Sequence, residues 1–131
     1  MAYTDIDDGS KYFTTLLYTG NDTDDRNLTN DANAGDFKPD WLWIKDRDNV
    51  RSHEIYDSSR GATIRIKSDS TGAESTQANN LQAFQTNGFQ VGSGPGTNAA
   101  SQTFVSWQWK ANGGTTTTND ASATGIGNTD S

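Results

Sequence analysis

His53, the single histidine of this 131-residue chain, stands among carboxylates in the stretch FKPDWLWIKDRDNVRSHEIYDSSRG (37–61), the densest run of reactive side chains in the sequence. Glycoside hydrolysis would be the natural chemistry for paired carboxylates. It needs two of them about 5 Å apart for retention or roughly 6.5–9.5 Å apart for inversion, with a raised pKa on the acid. Asp46 and Asp48 stand two apart at a strand end and can share a face, whereas Glu54 and Asp57, three apart in a strand, point to opposite faces. A Ser–His–Asp triad would have to use His53, and Ser52 or Ser58 gains nothing from sequence adjacency. At the start of a strand, His53 is expected to bond a backbone carbonyl. One histidine and no cysteine leave no zinc set, no disulfide and no thiol nucleophile. NDTDD (21–25) offers oxygen ligands of the kind calcium takes, including Asp22 and Asp25, but it lacks the glycine and closing glutamate of an EF-hand loop. It reads as a turn. GSGPG (92–96) lacks the lysine and following helix of a phosphate loop, and reads as a loop tip. The reading is therefore a protein without catalytic residues, metal or cofactor.

Four tryptophans carry a different possibility. Trp41 and Trp43 form one W-x-W pair, Trp107 and Trp109 another, and within each pair both rings leave a strand on the same side. Sugar-binding sandwiches stack pyranose rings on exposed aromatics, so these four are the candidate ligand-binding residues. With only 31% hydrophobic residues in the chain, at least one pair is expected to fill the core. Asp57, Arg60 and Gly61 form a candidate structural corner, with a charge-assisted pair tying a strand end to a turn and a glycine in a conformation other residues resist.

The elements that must position these residues are strands. KYFTTLLYTG (11–20), DWLWIKD (40–46), HEIYD (53–57), ATIRIK (62–67) and TFVSWQWK (103–110) are rich in aromatic and β-branched residues. In ATIRIK the alternation places Ile64 and Ile66 inward, Arg65 and Lys67 outward. LQAFQTNGFQVG (81–92) reads as a hairpin turning at Asn87-Gly88. Residues 21–36 read as turn chemistry, 68–80 as a loop with a helical turn near its end, and 93–101 as a flexible loop. No segment has the period of an amphipathic helix. The fold class is all-β, an antiparallel β-sandwich. Residues 1–11 read as an N-terminal arm, 12–112 as the β-sandwich domain, and 113–131 as an extended C-terminal tail or linker. Tyr3, Ile6 and Ile126 are the apolar residues by which arm and tail are expected to reach neighbouring subunits.

Net charge is −7 and pI about 4.4. Nucleic acid needs a basic footprint and anionic membrane surfaces attract basic segments, so neither is an expected partner. No apolar run approaches the roughly 20 residues of a spanning helix, and the polar start MAYTDIDDGS is not a secretory signal. Charge is uneven: residues 1–37 carry −6, residues 38–67 carry +2 and residues 68–131 carry −3. A basic centre between acidic ends hints at self-association.

The blocks YFTTLLYTGN, FKPDWLWIKDR, HEIYDSSRG, LQAFQTNGFQVG and FVSWQWKA, in this order, resemble a module of marine bacteriophage tail-fibre and other virion structural proteins, with a concanavalin A-like (SPRY-like) jelly-roll fold. The resemblance covers about residues 12–112. It implies a non-enzymatic virion component, tail fibre or capsid decoration, made in the host cytoplasm and acting through assembly with copies of itself and other virion proteins. The E-x-D-x-x-E arrangement of concanavalin A-like glucanases is missing. The alternative function is a receptor-binding, lectin-like module for a host surface glycan. The chain is then either a single-module protein or one piece of a longer one.

Overall fold

Alternating strand sequences of the kind just described bury one face each, and two such faces close on one another. The structure, a computed structural model, describes residues 8–30 and 37–111. Among the described residues nine strands run in the order β1 (Phe13–Thr19), β2 (Arg26–Thr29), β3 (Trp41–Asp46), β4 (Glu54–Asp57), β5 (Ile64–Arg65), β6 (Ser75–Thr76), β7 (Leu81–Gln85), β8 (Gly88–Val91) and β9 (Thr103–Trp109). One short helix, α1 (Pro95–Asn98), and a 3-10 turn at Gly9–Lys11 interrupt them. A four-stranded antiparallel sheet in the order β1-β9-β3-β4 faces a three-stranded antiparallel sheet in the order β2-β8-β7. The β5–β6 ribbon continues the edge beyond β4 through a bridge between Ile55 and Ile66. The protein is an all-β sandwich.

Its core is drawn from both sheets: Leu42, Ile44, Tyr56 and Phe104 from the larger, Leu28, Leu81, Phe89 and Val91 from the smaller. Tyr18 of β1 stacks on Phe104 at 5.3 Å and meets Phe89 edge-on. Its hydroxyl donates to the Thr97 carbonyl oxygen at 2.7 Å, which joins β1 to α1. The expectation that a W-x-W pair fills this core is wrong, because neither pair is in it. In β9 the inward phase is Phe104, Ser106 and Gln108, all fully buried. The polar members are satisfied internally: Gln108 and Asn30 exchange side-chain amide bonds at 2.8 and 3.0 Å, and Gln108 also donates to Ser106. A paired amide fills core volume without an unmet polar group, so the tryptophans are left to the other phase.

Three further expectations are corrected. Residues 21–36 were expected to be all turn, yet Arg26–Thr29 is a strand, held by four register pairs with β8. The loop 93–101 contains α1, whose Thr97 and Asn98 are fully buried; Asn98 donates to the carbonyls of Thr23 and Gly92 and accepts from Arg26. Arg65 does not point outward, because its guanidinium reaches the buried Glu54 at 3.0 Å. The hairpin is present, but its two-residue turn is Thr86-Asn87 and Gly88 already pairs with Gln85. Gly88 has φ +114°, and a Cβ there would run into the Leu28 carbonyl oxygen. It serves both the turn and the close approach of β2.

Candidate functional site

The outer phase of the four-stranded sheet is where the unusual residues collect. Pairing aligns Phe13, Trp109, Trp41 and Asp57 in one row across β1-β9-β3-β4, and Thr15, Trp107, Trp43 and Ile55 in the next. A third row holds Leu17, Val105 and Lys45. Neighbouring strands lie about 4.8 Å apart, so all four tryptophans form a single patch on one face. Sequence alternation alone made each pair co-facial; the β3–β9 pairing, which joins them, could not be read from it. Trp41 is 39% exposed, Trp109 36% and Phe13 41%. Leu17, at 60%, extends the patch along β1.

The rings are locked together. Trp43 and Trp107 meet edge-to-face at 5.9 Å, and Phe13 lies 4.9 Å from Trp109. The Trp43 indole N–H donates to Nδ1 of His53 at 2.7 Å. This replaces the backbone carbonyl bond expected of His53, and makes it an orienting group for the patch. An open depression of about 390 Å³ lies between Trp41, Trp43, Trp109 and Ala111, and a second of about 260 Å³ among Trp43, Trp107 and Trp109. Tyr12 and Lys110 flank the end of the patch, with the ammonium 5.8 Å above the ring.

The corner residues sit beside Trp41. Asp57 accepts from the Arg60 backbone N–H at 2.9 Å and from its guanidinium at 2.6 Å. Gly61 has φ +106° and its N–H returns to the Asp57 carbonyl. The expected corner is thus present, with Arg60 partly exposed and also 3.6 Å from Glu74. A neighbour of this corner went unpredicted. Asp40 is buried and accepts from the Ser58 hydroxyl and the Ala111 N–H, tying the ends of β3, β4 and β9 beneath the patch. Its place immediately before a strand, after Pro39, was the available signal.

The other carboxylates serve structure. Asp46, at the end of β3, accepts N–H bonds from Asp48 and Asn49, a side-chain bond from Asn49 and an ion pair from Arg51 at 3.2 Å. Burial works against its charge, but these donors outweigh it and hold the carboxyl below the usual range. Asp48 accepts from the Thr103 N–H. Glu54 is buried and accepts from Tyr56, Asn80 and Arg65. Burial, with Glu54 beside it, pushes the Tyr56 phenol upward. In the 21–25 turn Asp22 and Asp25 have left-handed backbones and Asp24 accepts from Gln82. Among the described residues no group of three or more His, Asp or Glu is placed to hold a metal ion. Among them, too, no helix is long and apolar enough to cross a membrane. Tyr3, Ile6 and Ile126 lie outside the described residues.

No curated protein and no solved structure matches the chain. One family does, over residues 8–130, a span that takes in both sheets, the tryptophan face and the stretch that follows β9. By that match the chain belongs to the family described as Domain of unknown function (DUF7483).

Proposed function

We propose that this protein is a non-enzymatic structural module of a bacteriophage virion, in a tail fibre or a capsid decoration, and that it works by subunit assembly through its tryptophan face. The observation that carries the reading is the continuous exposed row of Phe13, Trp109 and Trp41 on the outside of the sheet, extended by Leu17. Soluble monomers seldom leave a contiguous aromatic patch in water, and aromatic residues are enriched at protein interfaces. The occupant proposed is a second copy of the chain or an adjoining virion protein, presenting apolar side chains to the depression. The order of sequence blocks that resembles virion modules supports the same reading.

The test is the double variant Trp41→Ala/Trp109→Ala. Both side chains are more than a third exposed, so the fold is expected to remain. Light scattering after gel filtration should find the wild type associated and the variant monomeric. A wild type that stays monomeric at high concentration and in the presence of its particle proteins would defeat the reading.

A second reading, a lectin-like module for a host glycan, is favoured by the indole-walled depression of about 390 Å³, roomy enough for a pyranose ring. Against it, the Trp43 N–H is already committed to His53. Glycan-array binding that the same double variant abolishes would support this second reading over the first.

A further inference from the structure

A second depression of about 290 Å³ opens beside the β4–β5 edge, lined by residues that include Arg51, Ser52, Glu54, Arg65, Lys67, Gln77 and Asn80. Its chemistry is opposite to that of the tryptophan face. Three cations surround one carboxylate, in a chain whose net charge is −7. That carboxylate, Glu54, is neutralised in place by Arg65 at 3.0 Å and bonded by Tyr56 and Asn80. Arg51 is engaged with Asp46. Lys67 is half-buried and, among the described residues, has no ion-pair partner. Arg65 is held by Glu54 through one terminal nitrogen and by the Ser75 hydroxyl through the other, while its Nε is buried without a partner.

We propose that this cleft binds an acidic sugar, a uronic acid residue of a polysaccharide. The ammonium of Lys67, the cation of the cleft that no ion pair engages among the described residues, would receive the carboxylate. Ser52 and Gln77, both half-exposed, supply the uncharged donors and acceptors that ring hydroxyls need. An aspartate or glutamate side chain of a protein partner would use that cation and leave those groups unmatched, so the mixed lining favours the sugar. The site is separate from the tryptophan face and does not depend on the function proposed for it.

The experiment is calorimetric titration of the full chain with trigalacturonate. Neutral maltotriose and a short polyaspartate peptide serve as comparisons. Lys67→Glu is the test variant, and Lys110→Glu, on the other face, is the matched charge control. Trigalacturonate should bind saturably and weaken with salt. Lys67→Glu should weaken it at least tenfold, Lys110→Glu should leave it unchanged, and maltotriose should give no heat. Should Lys67→Glu lose the native circular dichroism spectrum, Lys67→Gln takes its place, with the same loss expected. Absence of trigalacturonate binding, equal weakening by both charge variants, or tighter binding of polyaspartate would overturn the proposal. The Trp41→Ala/Trp109→Ala variant should bind trigalacturonate as the wild type does.

Discussion

Replacing Asp46 by asparagine changes one oxygen into an amide nitrogen and should unsettle the whole Asp46–Arg51 turn. Oδ1 holds two backbone N–H groups, at 2.9 and 3.0 Å, and Oδ2 faces the Asn49 amide at 3.0 Å and Arg51 Nε at 3.2 Å. In Asp46→Asn the first pair of bonds survives in neutral form. The second pair becomes donor against donor. Bonds to a charged acceptor contribute about 1.5–3 kcal/mol and neutral ones about 1. Weakening two and losing the Asn49 bond therefore costs about 3 kcal/mol. The Arg51 side chain is 43% exposed, so its loss adds only a few tenths, as is usual for solvent-screened pairs. The carboxyl has its pKa lowered in the fold. Its contribution is therefore present above the ordinary value of 3.8 and fades as pH falls through the lower folded value. Urea unfolding of both proteins should show the full gap at pH 7 and a narrowing one as pH falls below 3.8. A gap below about 1 kcal/mol at pH 7, or one that persists unchanged in acid, would refute the reasoning.

Gly88→Ala should cost about 3 kcal/mol or more by thermal melt, because a positive φ and a clash with the Leu28 carbonyl act together; a change under 1 kcal/mol would mean that β2 can move aside. Tyr18 and Tyr56 are both buried with phenols pushed above 10, so the unfolded chain ionises first and stability is lost as pH rises past 10. Each should contribute about 1.4 kcal/mol per pH unit, and Tyr18→Phe should flatten the alkaline slope measured by urea unfolding. Arg60→Ala should destabilise by about 1–2 kcal/mol, less than a fully buried pair would, since its side chain is a quarter exposed and Asp57 keeps the Arg60 backbone bond; a melt unchanged within 0.3 kcal/mol would remove the corner from the account.

The strands that sequence alternation could place are those with strong β-formers: β1, β3, β4, β7, β8 and β9. What it misplaced was polarity. Few aliphatics were taken to force tryptophans inward, but Ser106, Gln108 and Asn30 fill the interior as a bonded set. Lys45, in phase with Trp41 and Trp43, carried the contrary signal: a face that ends in lysine reaches solvent. The strand Arg26–Thr29 was hidden because its neighbours are turn formers and only Leu28 is apolar and buried. It exists by pairing with β8, a tertiary cause that local propensity cannot report. The corner at Asp57, Arg60 and Gly61 was legible because each residue contributes a local, type-specific requirement. Joining the two W-x-W pairs into one patch needed the β3–β9 register, which is long-range. The cleft around Glu54 and Arg65 was illegible for a similar reason, since Asn80, Ser52 and Lys67 meet there from separate loops.

The virion role proposed above is tested most directly by a reconstruction of the intact particle at side-chain resolution, read at Trp41 and Trp109. The account predicts a neighbouring subunit packed against both indoles, burying the row from Phe13 to Trp41. Copies whose tryptophan face lies open to solvent throughout the particle, or a particle that contains no such chain, would contradict it.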